Sequence, residues 1–445
     1  MRRPTMLLAV LCAAASITAM PAQAAAPPPD PVPDDQPLPG YTIGNPPLAP
    51  VPVDGRPSRV LQGVKGHAAF NIEVPPNWNG QLVMWAHGYR GTTRVLSAET
   101  PSYGLRQKLL DQGYAWAASS YYANDYDVRA GVLSTRQLAR HFARTIGKPR
   151  KTFIAGVSMG GHVTARSIEE FPGFYDGALP MCGVLGDHEL FDFFLDYQVV
   201  AQDLADLPAY PTPPDYVTSI VPRIQQGLGL TGLTPGGPDT TNDLGKQFRA
   251  IAVNRSGGAR PGDAAAFAYW QNYLFSLGAP PSGDSLAQQP RRIATNLRTR
   301  YAPSTPVNVN RTVQRVRPVE PGSRYTDRLT QVPSVSGRLD VPMVSLHNLG
   351  DMFVPFSMEQ RYRADVARNG RSGLLVQRAI RSVGHCEFSP AEAGKAWDDL
   401  IRWERGGPRP QGDDVSRPGK PDYGCRFTDP AVHGTGTRPL YPACP

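Results

Sequence analysis

Metal-binding and redox signatures are missing from this sequence. No C-x-x-C occurs and no His/Cys group has the spacing of a zinc site, so neither a metal nor a dithiol redox centre is expected, and no cofactor. Charge is sparse: Asp, Glu, Lys and Arg make up 19% of the chain, and the net +8 is scattered. No Lys/Arg run is dense enough to track phosphates, which argues against a nucleic-acid partner. No segment is both long and apolar enough for a membrane span, and no internal repeat recurs at a fixed period. Cysteine is scarce as well, with five in 445 residues. What remains is a chain long enough for one large domain with insertions, or for two.

The N-terminus carries an address. Arg2 and Arg3 precede the apolar run "MLLAVLCAAASITAM" (6–20), and "PAQA" offers small residues at Ala22 and Ala24. This is the layout of a signal peptide over 1–24, with the mature chain expected from about Ala25 and exported, either to a periplasm or out of the cell. Removing Cys12 with it leaves Cys182, Cys386, Cys425 and Cys444, an even number in an oxidising compartment. Three pairings are open; Cys425–Cys444 would close a tail loop.

Residues 25–55 are too rich in proline for regular ladders and read as a linker or a surface arm. Ordered structure is expected from "AAFNIEVP" (68–75). Strand-like and helix-like stretches then alternate: strands near 81–88, 114–122, 151–158 and 175–183, with helices at 103–113, 132–147 and 160–171. The pattern resumes at 341–351, 357–370, 373–385 and 391–407. Continuous apolar strands alternating with helices predict an α/β fold: a doubly wound, mainly parallel sheet with helices on both faces. The intervening 186–335 differs, with four helix-like stretches joined by Pro/Gly turns and then an irregular basic segment. It reads as a helical cap inserted between the two parts of the core (56–185 and 336–410), with 411–445 as a tail.

The strand at 151–158 runs into Gly156-Val157-Ser158-Met159-Gly160 and then a helix. A serine between a strand and a helix, flanked by glycines, is held with its hydroxyl exposed. To act as a nucleophile it needs a base, and the base needs a carboxylate to orient it. The alternation asks for each of these just after a later strand, acid before base. Asp351 in "SLHNLGDMFVP" and His385 in "RSVGHCEF" meet that demand, 34 residues apart. Two backbone amides must also face the oxyanion. Met159 and Tyr89, the latter after "AHG" (86–88), are the candidates, with His87 bracing the loop.

These motifs resemble the α/β-hydrolase superfamily of serine hydrolases over about 68–185 and 340–407, and His385-Cys386 resembles the secreted tannase and feruloyl esterase group. In that group a disulfide joins cysteines beside the catalytic serine and histidine. Here Val157 precedes the serine, so the resemblance implies Cys182, at the end of the next strand, as the partner of Cys386. It also implies hydrolysis of a small or polymeric carboxylic ester through an acyl-enzyme. Of the aromatics Trp85, Tyr89, Tyr121, Tyr122, Phe191, Phe193, Phe194, Tyr197, Tyr269 and Trp270, most are expected to be core or cap–core packing, and any that line the cleft favour an apolar or aromatic acyl group. A peptidase of the same fold, with Glu189 or Asp192 holding a peptide N-terminus, and a catalytically silent binding protein are the competing readings. The sequence does not specify an oligomeric state.

Overall fold

The computed structural model describes residues 32–280, 282–324 and 326–444; the expected signal peptide, Cys12 and the start of the proline-rich segment lie outside them. Eight strands form the main sheet: β1 (Arg59–Lys65), β2 (Ala68–Val74), β3 (Gln81–Ala86), β4 (Ala115–Ser119), β5 (Lys151–Val157), β6 (Gly177–Met181), β7 (Met343–Asn348) and β8 (Leu375–Ile380). Their order is β1-β2-β4-β3-β5-β6-β7-β8. The β1–β2 and β2–β4 pairs are antiparallel, and every later pair is parallel. This is the α/β-hydrolase arrangement. Strands β2 to β8 carry almost no exposed residue because both faces are covered.

Helices α1 (Leu105–Asp111) and α9 (Pro390–Glu404) pack on one face, where Trp85, Trp116, Phe153 and Trp397 are fully buried. The other face holds α2 (Val128–Thr145), α3 (Met159–Glu170) and α8 (Ser357–Arg368). Helix α2 starts four residues before the expected 132, because Asp127 caps it by accepting from the Ala130 amide at 2.8 Å. Between β6 and β7 run the longer helices of the insertion, α4 (Glu189–Leu204), α5 (Val221–Gly227), α6 (Asp243–Arg255) and α7 (Asp263–Ser276), followed by a single helical turn at Val309–Thr312.

Order begins earlier than 68. Strand β1 was not anticipated, since "RVLQGVK" is short, polar and half-exposed at the sheet edge. The proline-rich segment lies against this edge. The buried Glu73 carboxylate of β2 accepts from the Val51 amide at 3.0 Å, Trp116 Nε1 at 3.0 Å and the Ser58 hydroxyl at 2.5 Å, and it pairs with Arg106 at 2.7 Å. One buried acid thus ties the segment to the sheet, and, contrary to expectation, the segment also forms two short ladders, Thr42–Ile43 with Val95–Leu96 and Pro52–Val53 with Arg56–Pro57.

The tail is also built in. Disulfide Cys425–Cys444 closes it, and Asp413 accepts from the Ala379 amide of β8 at 2.8 Å. Arg438 makes a two-pronged ion pair with Glu392 of α9 at 2.8 Å, both side chains buried.

Candidate active site

Strand β5 ends on Val157, and Ser158 adopts φ 56° and ψ −122° before α3 begins. A non-glycine residue pays for that left-handed backbone, and such strain is characteristic of a serine held out at a strand–helix turn. The turn is also crowded. A Cβ on Gly156 would meet the Gly160 carbonyl oxygen at 2.3 Å, and one on Gly160 would meet the Ala86 carbonyl oxygen at 2.1 Å. Both contacts are with backbone, which cannot move aside, so glycine is required at these two positions. Ser158 occupies the N-cap of α3, yet its hydroxyl bonds no helix amide.

The hydroxyl turns instead to the base, with Ser158 Oγ lying 2.9 Å from His385 Nε2. His385 Nδ1 is 2.5 Å from Asp351 Oδ2, and Asp351 Oδ1 accepts from the Phe353 and Val354 amides at 2.9 and 3.0 Å. The carboxylate is fully buried, while the imidazole keeps 17% of its surface exposed. With the anion on its Nδ1 side, the ring carries its proton there, leaving the Nε2 lone pair to receive the serine proton. Residues 158, 351 and 385, each just beyond a strand end, are brought into one hydrogen-bonded line.

Two features hold the histidine loop that sequence reasoning missed. Thr437 Oγ1, in the tail, accepts from the Val383 and Gly384 amides at 2.7 and 2.8 Å. Trp270 of α7 donates its indole N–H to the Val383 carbonyl at 2.8 Å. Neither is spaced in sequence so as to announce the contact. The Cys182–Cys386 bond is present, across 204 residues, and ties the residue after the base to the end of β6. Tyr103 adds a hydrogen bond to the Cys386 carbonyl at 2.8 Å. Donor atoms of Cys182, His385 and Cys386 lie within 4.8 Å of one another, but the two sulfurs are bonded to each other and offer no thiolate to a metal.

On the β3 side, the loop after Ala86 lies against the serine: a Cβ on Gly88 would be 3.2 Å from Ser158 Cβ. Of the two residues expected to supply oxyanion amides, Met159 directly follows Ser158 and Tyr89 directly follows Gly88 in this loop. His87 is buried and stacked on Tyr121 with ring centroids 3.9 Å apart. Burial holds its imidazole below the ordinary value, keeping it neutral as a brace.

An aromatic wall rises beside the base. Phe353 stands edge-on to the His385 ring at 5.0 Å, stacks on Phe194 at 5.8 Å and meets Tyr273 at 5.1 Å. Burial pushes the Tyr273 phenol up to about 12. Phe194 further lines an apolar cavity of about 100 Å³ with Phe191, Leu195, Tyr210 and Leu277. Of the aromatics singled out in the sequence, Phe194 and Trp270 fall here; Trp85, Tyr121, Phe193 and Tyr197 are buried packing residues, as most were expected to be. Phe353 and Tyr273 were missed, although Phe353 follows the acid by only two residues. Glu189 and Asp192 are not free to hold a substrate amine. Glu189 pairs with Arg361 at 2.6 Å, and Asp192 takes both nitrogens of Arg324 at 2.7 and 2.9 Å.

Residues 60–209 match a family model described as a tannase-like family of unknown function (DUF6351). The o-phthalyl amidase of Xanthobacter agilis is 22% identical over 401 residues, covering 75% of this chain and 84% of that protein. Among solved structures, feruloyl esterase B from Aspergillus oryzae overlays with a TM-score of 0.41 and 13% identity, covering 80% of this chain and 82% of that one. A puromycin hydrolase overlays with a TM-score of 0.39 and 15% identity; it covers 79% of this chain, which spans 40% of the hydrolase's length.

Proposed function

We propose, from the premise that this α/β-hydrolase-fold chain resembles the tannase-like family, that it is an exported serine hydrolase of carboxylic esters. The observation that carries the reading is the continuous line Ser158–His385–Asp351, with spacings of 2.9 and 2.5 Å. In this mechanism Ser158 Oγ attacks the carbonyl carbon as its proton passes to His385 Nε2. Asp351 stabilises the resulting imidazolium and holds its orientation. The amides of Tyr89 and Met159 receive the oxyanion, each worth on the order of 100-fold or more in rate. His385 then returns the proton to the leaving alcohol, and a water activated by the same nitrogen hydrolyses the acyl-enzyme.

The wall of Phe194, Phe353 and Tyr273 supports an apolar or aromatic acyl group, which packs against ring faces and edges without charge pairing. Export is supported by two disulfides, which persist in oxidising compartments. Amide hydrolysis is the second reading, favoured by the similarity to an amidase. The ion pairs of Glu189 and Asp192 speak against an aminopeptidase-like site built on those residues.

The test is a panel of chromogenic aryl esters and the matching anilides on the purified mature protein, with Ser158→Ala as control. The expected result is ester turnover that falls by up to about a million-fold in the variant. Faster cleavage of the anilides selects the amidase reading, and equal turnover by the alanine variant refutes both.

A further inference from the structure

Arg260 lies in the turn between α6 and α7, inside the insertion, and is only 4% exposed. Its guanidinium donates from Nε to the Leu349 carbonyl at 2.7 Å, from one terminal nitrogen to the Gly258 carbonyl at 2.8 Å and from the other to Ser256 Oγ at 3.1 Å. Among the described residues no carboxylate comes within ion-pair distance of it. Asp263, its acidic neighbour on α7, is turned to the Arg260 backbone amide at 3.1 Å. A buried cation without an ion-pair partner costs several kcal/mol, and such a cost is tolerated where the charge acts on another group. That group is close by. Leu349 is two residues before Asp351, and Asp351 is itself buried without a cation bonded to it other than His385 when protonated.

We propose that Arg260 is a positioning residue for the reaction: it grips the Leu349 carbonyl of the acid-bearing turn, and its charge acts on the Asp351–His385 pair that this turn carries. The insertion then does more than cover the cleft, because its seating sets the electrostatics of the acid. The inference rests on the triad reading. Other charged or titratable groups facing this turn are His385 across the carboxylate, Tyr273 from α7 and Tyr441 from the tail. From β7 comes His347, whose Nε2 donates to the Val354 carbonyl at 2.8 Å, with Glu359 of α8 behind it at 3.4 Å. Burial draws the Arg260 guanidinium below its ordinary value, and Tyr441, Asp263 and Asp351 oppose that only in part.

A positive charge beside Asp351 disfavours protonation of His385, so removing it makes the imidazole more basic. The acid limb of the rate profile then moves to higher pH. The experiment measures the second-order rate of Ser158 labelling by diisopropyl fluorophosphate from pH 4 to 9 for the parent, Arg260→Gln and Arg260→Lys. Thermal unfolding is recorded alongside. In Arg260→Gln the plateau rate is expected to fall about tenfold, with the acid limb displaced upward by about half a pH unit. In Arg260→Lys, which keeps the charge and loses the fork, the limb is expected at the parent position with a partly reduced plateau. An unchanged limb in Arg260→Gln, even with a lower melting temperature, overturns the proposal. If that variant does not fold, Arg260→Lys decides: a parental plateau overturns the proposal, and a reduced plateau with an unshifted limb supports it. Failure of the parent to label at Ser158 would instead overturn the triad reading.

Discussion

Cys182 and Cys386 are 204 residues apart in sequence and joined beside the base. Replacing both with alanine opens a closed loop of that length. The chain-entropy estimate is −2.1 − 1.5R ln n, which gives about 18 cal/mol/K, or about 5 kcal/mol at 25 °C. With an unfolding entropy of about 2 cal/mol/K per residue over the unit Pro33–Pro445, this lowers the melting temperature by roughly 6 °C. The same arithmetic for Cys425 and Cys444, separated by 19, gives about 3 kcal/mol and a correspondingly smaller shift. A second effect is local. Cys386 has φ 56°, directly after His385, and its sulfur lies 3.3 Å from His385 Nε2. Freed from β6, the loop samples more positions of the imidazole, and a misplacement of about 1 Å costs on the order of 100-fold in rate. The double variant is therefore expected to lose turnover well below its own unfolding temperature. Differential scanning calorimetry and ester kinetics at 25 °C on the oxidised parent and both double variants provide the check. A melting temperature within a degree of the parent together with parental kcat would refute the reasoning, as would free thiols at both positions in the parent by non-reducing peptide mapping.

Asp351→Asn should leave the fold intact but reduce kcat by about ten-thousand-fold, because the amide favours the wrong imidazole tautomer; steady-state kinetics and circular dichroism separate the two effects. Thr437→Val removes the acceptor of two loop amides, at a cost of about 1–3 kcal/mol for each donor left dry, and is expected to lower both kcat and stability; unchanged urea unfolding would contradict the clamp. His162 in α3 accepts from the Tyr126 hydroxyl on Nδ1 and donates from Nε2 to the Pro333 carbonyl, and burial lowers its pKa to about 4. The unfolded chain, with an ordinary value near 6.5, binds more protons between these limits, so stability should rise with pH from 4 to 6.5, by up to about 3 kcal/mol from this residue. His162→Gln, compared with the parent by urea unfolding at pH 4.5 and 7, should flatten that dependence; an equal slope in both would remove His162 as its source. Phe353→Ala opens the wall beside the base and should raise KM for aryl esters more than for acetyl esters; equal effects on both would argue against an aromatic acyl site.

Much of the sheet was legible because parallel strands buried on both faces read as unbroken apolar runs, and "TFIAGV" leading into the serine is the clearest of them. Strand β1 escaped because an edge strand in half-exposed contact needs no such pattern. The spacing of glycines around Ser158 was legible too, since backbone crowding at the turn forbids any side chain. Glu189 and Asp192 were misjudged as available because their cations, Arg361 and Arg324, lie over a hundred residues downstream.

The sequence by itself determined the alternation of elements, the strained serine turn and the order in which acid and base follow it. All of these are set by local periodicity and short-range sterics. The tertiary structure alone decided the 2.5 and 2.9 Å spacings and the grip of Thr437, Trp270 and Arg260 on the catalytic loops. Those contacts join residues tens to hundreds of positions apart. Each interaction depends on distance and direction in space, and neither is encoded in the local pattern of either partner.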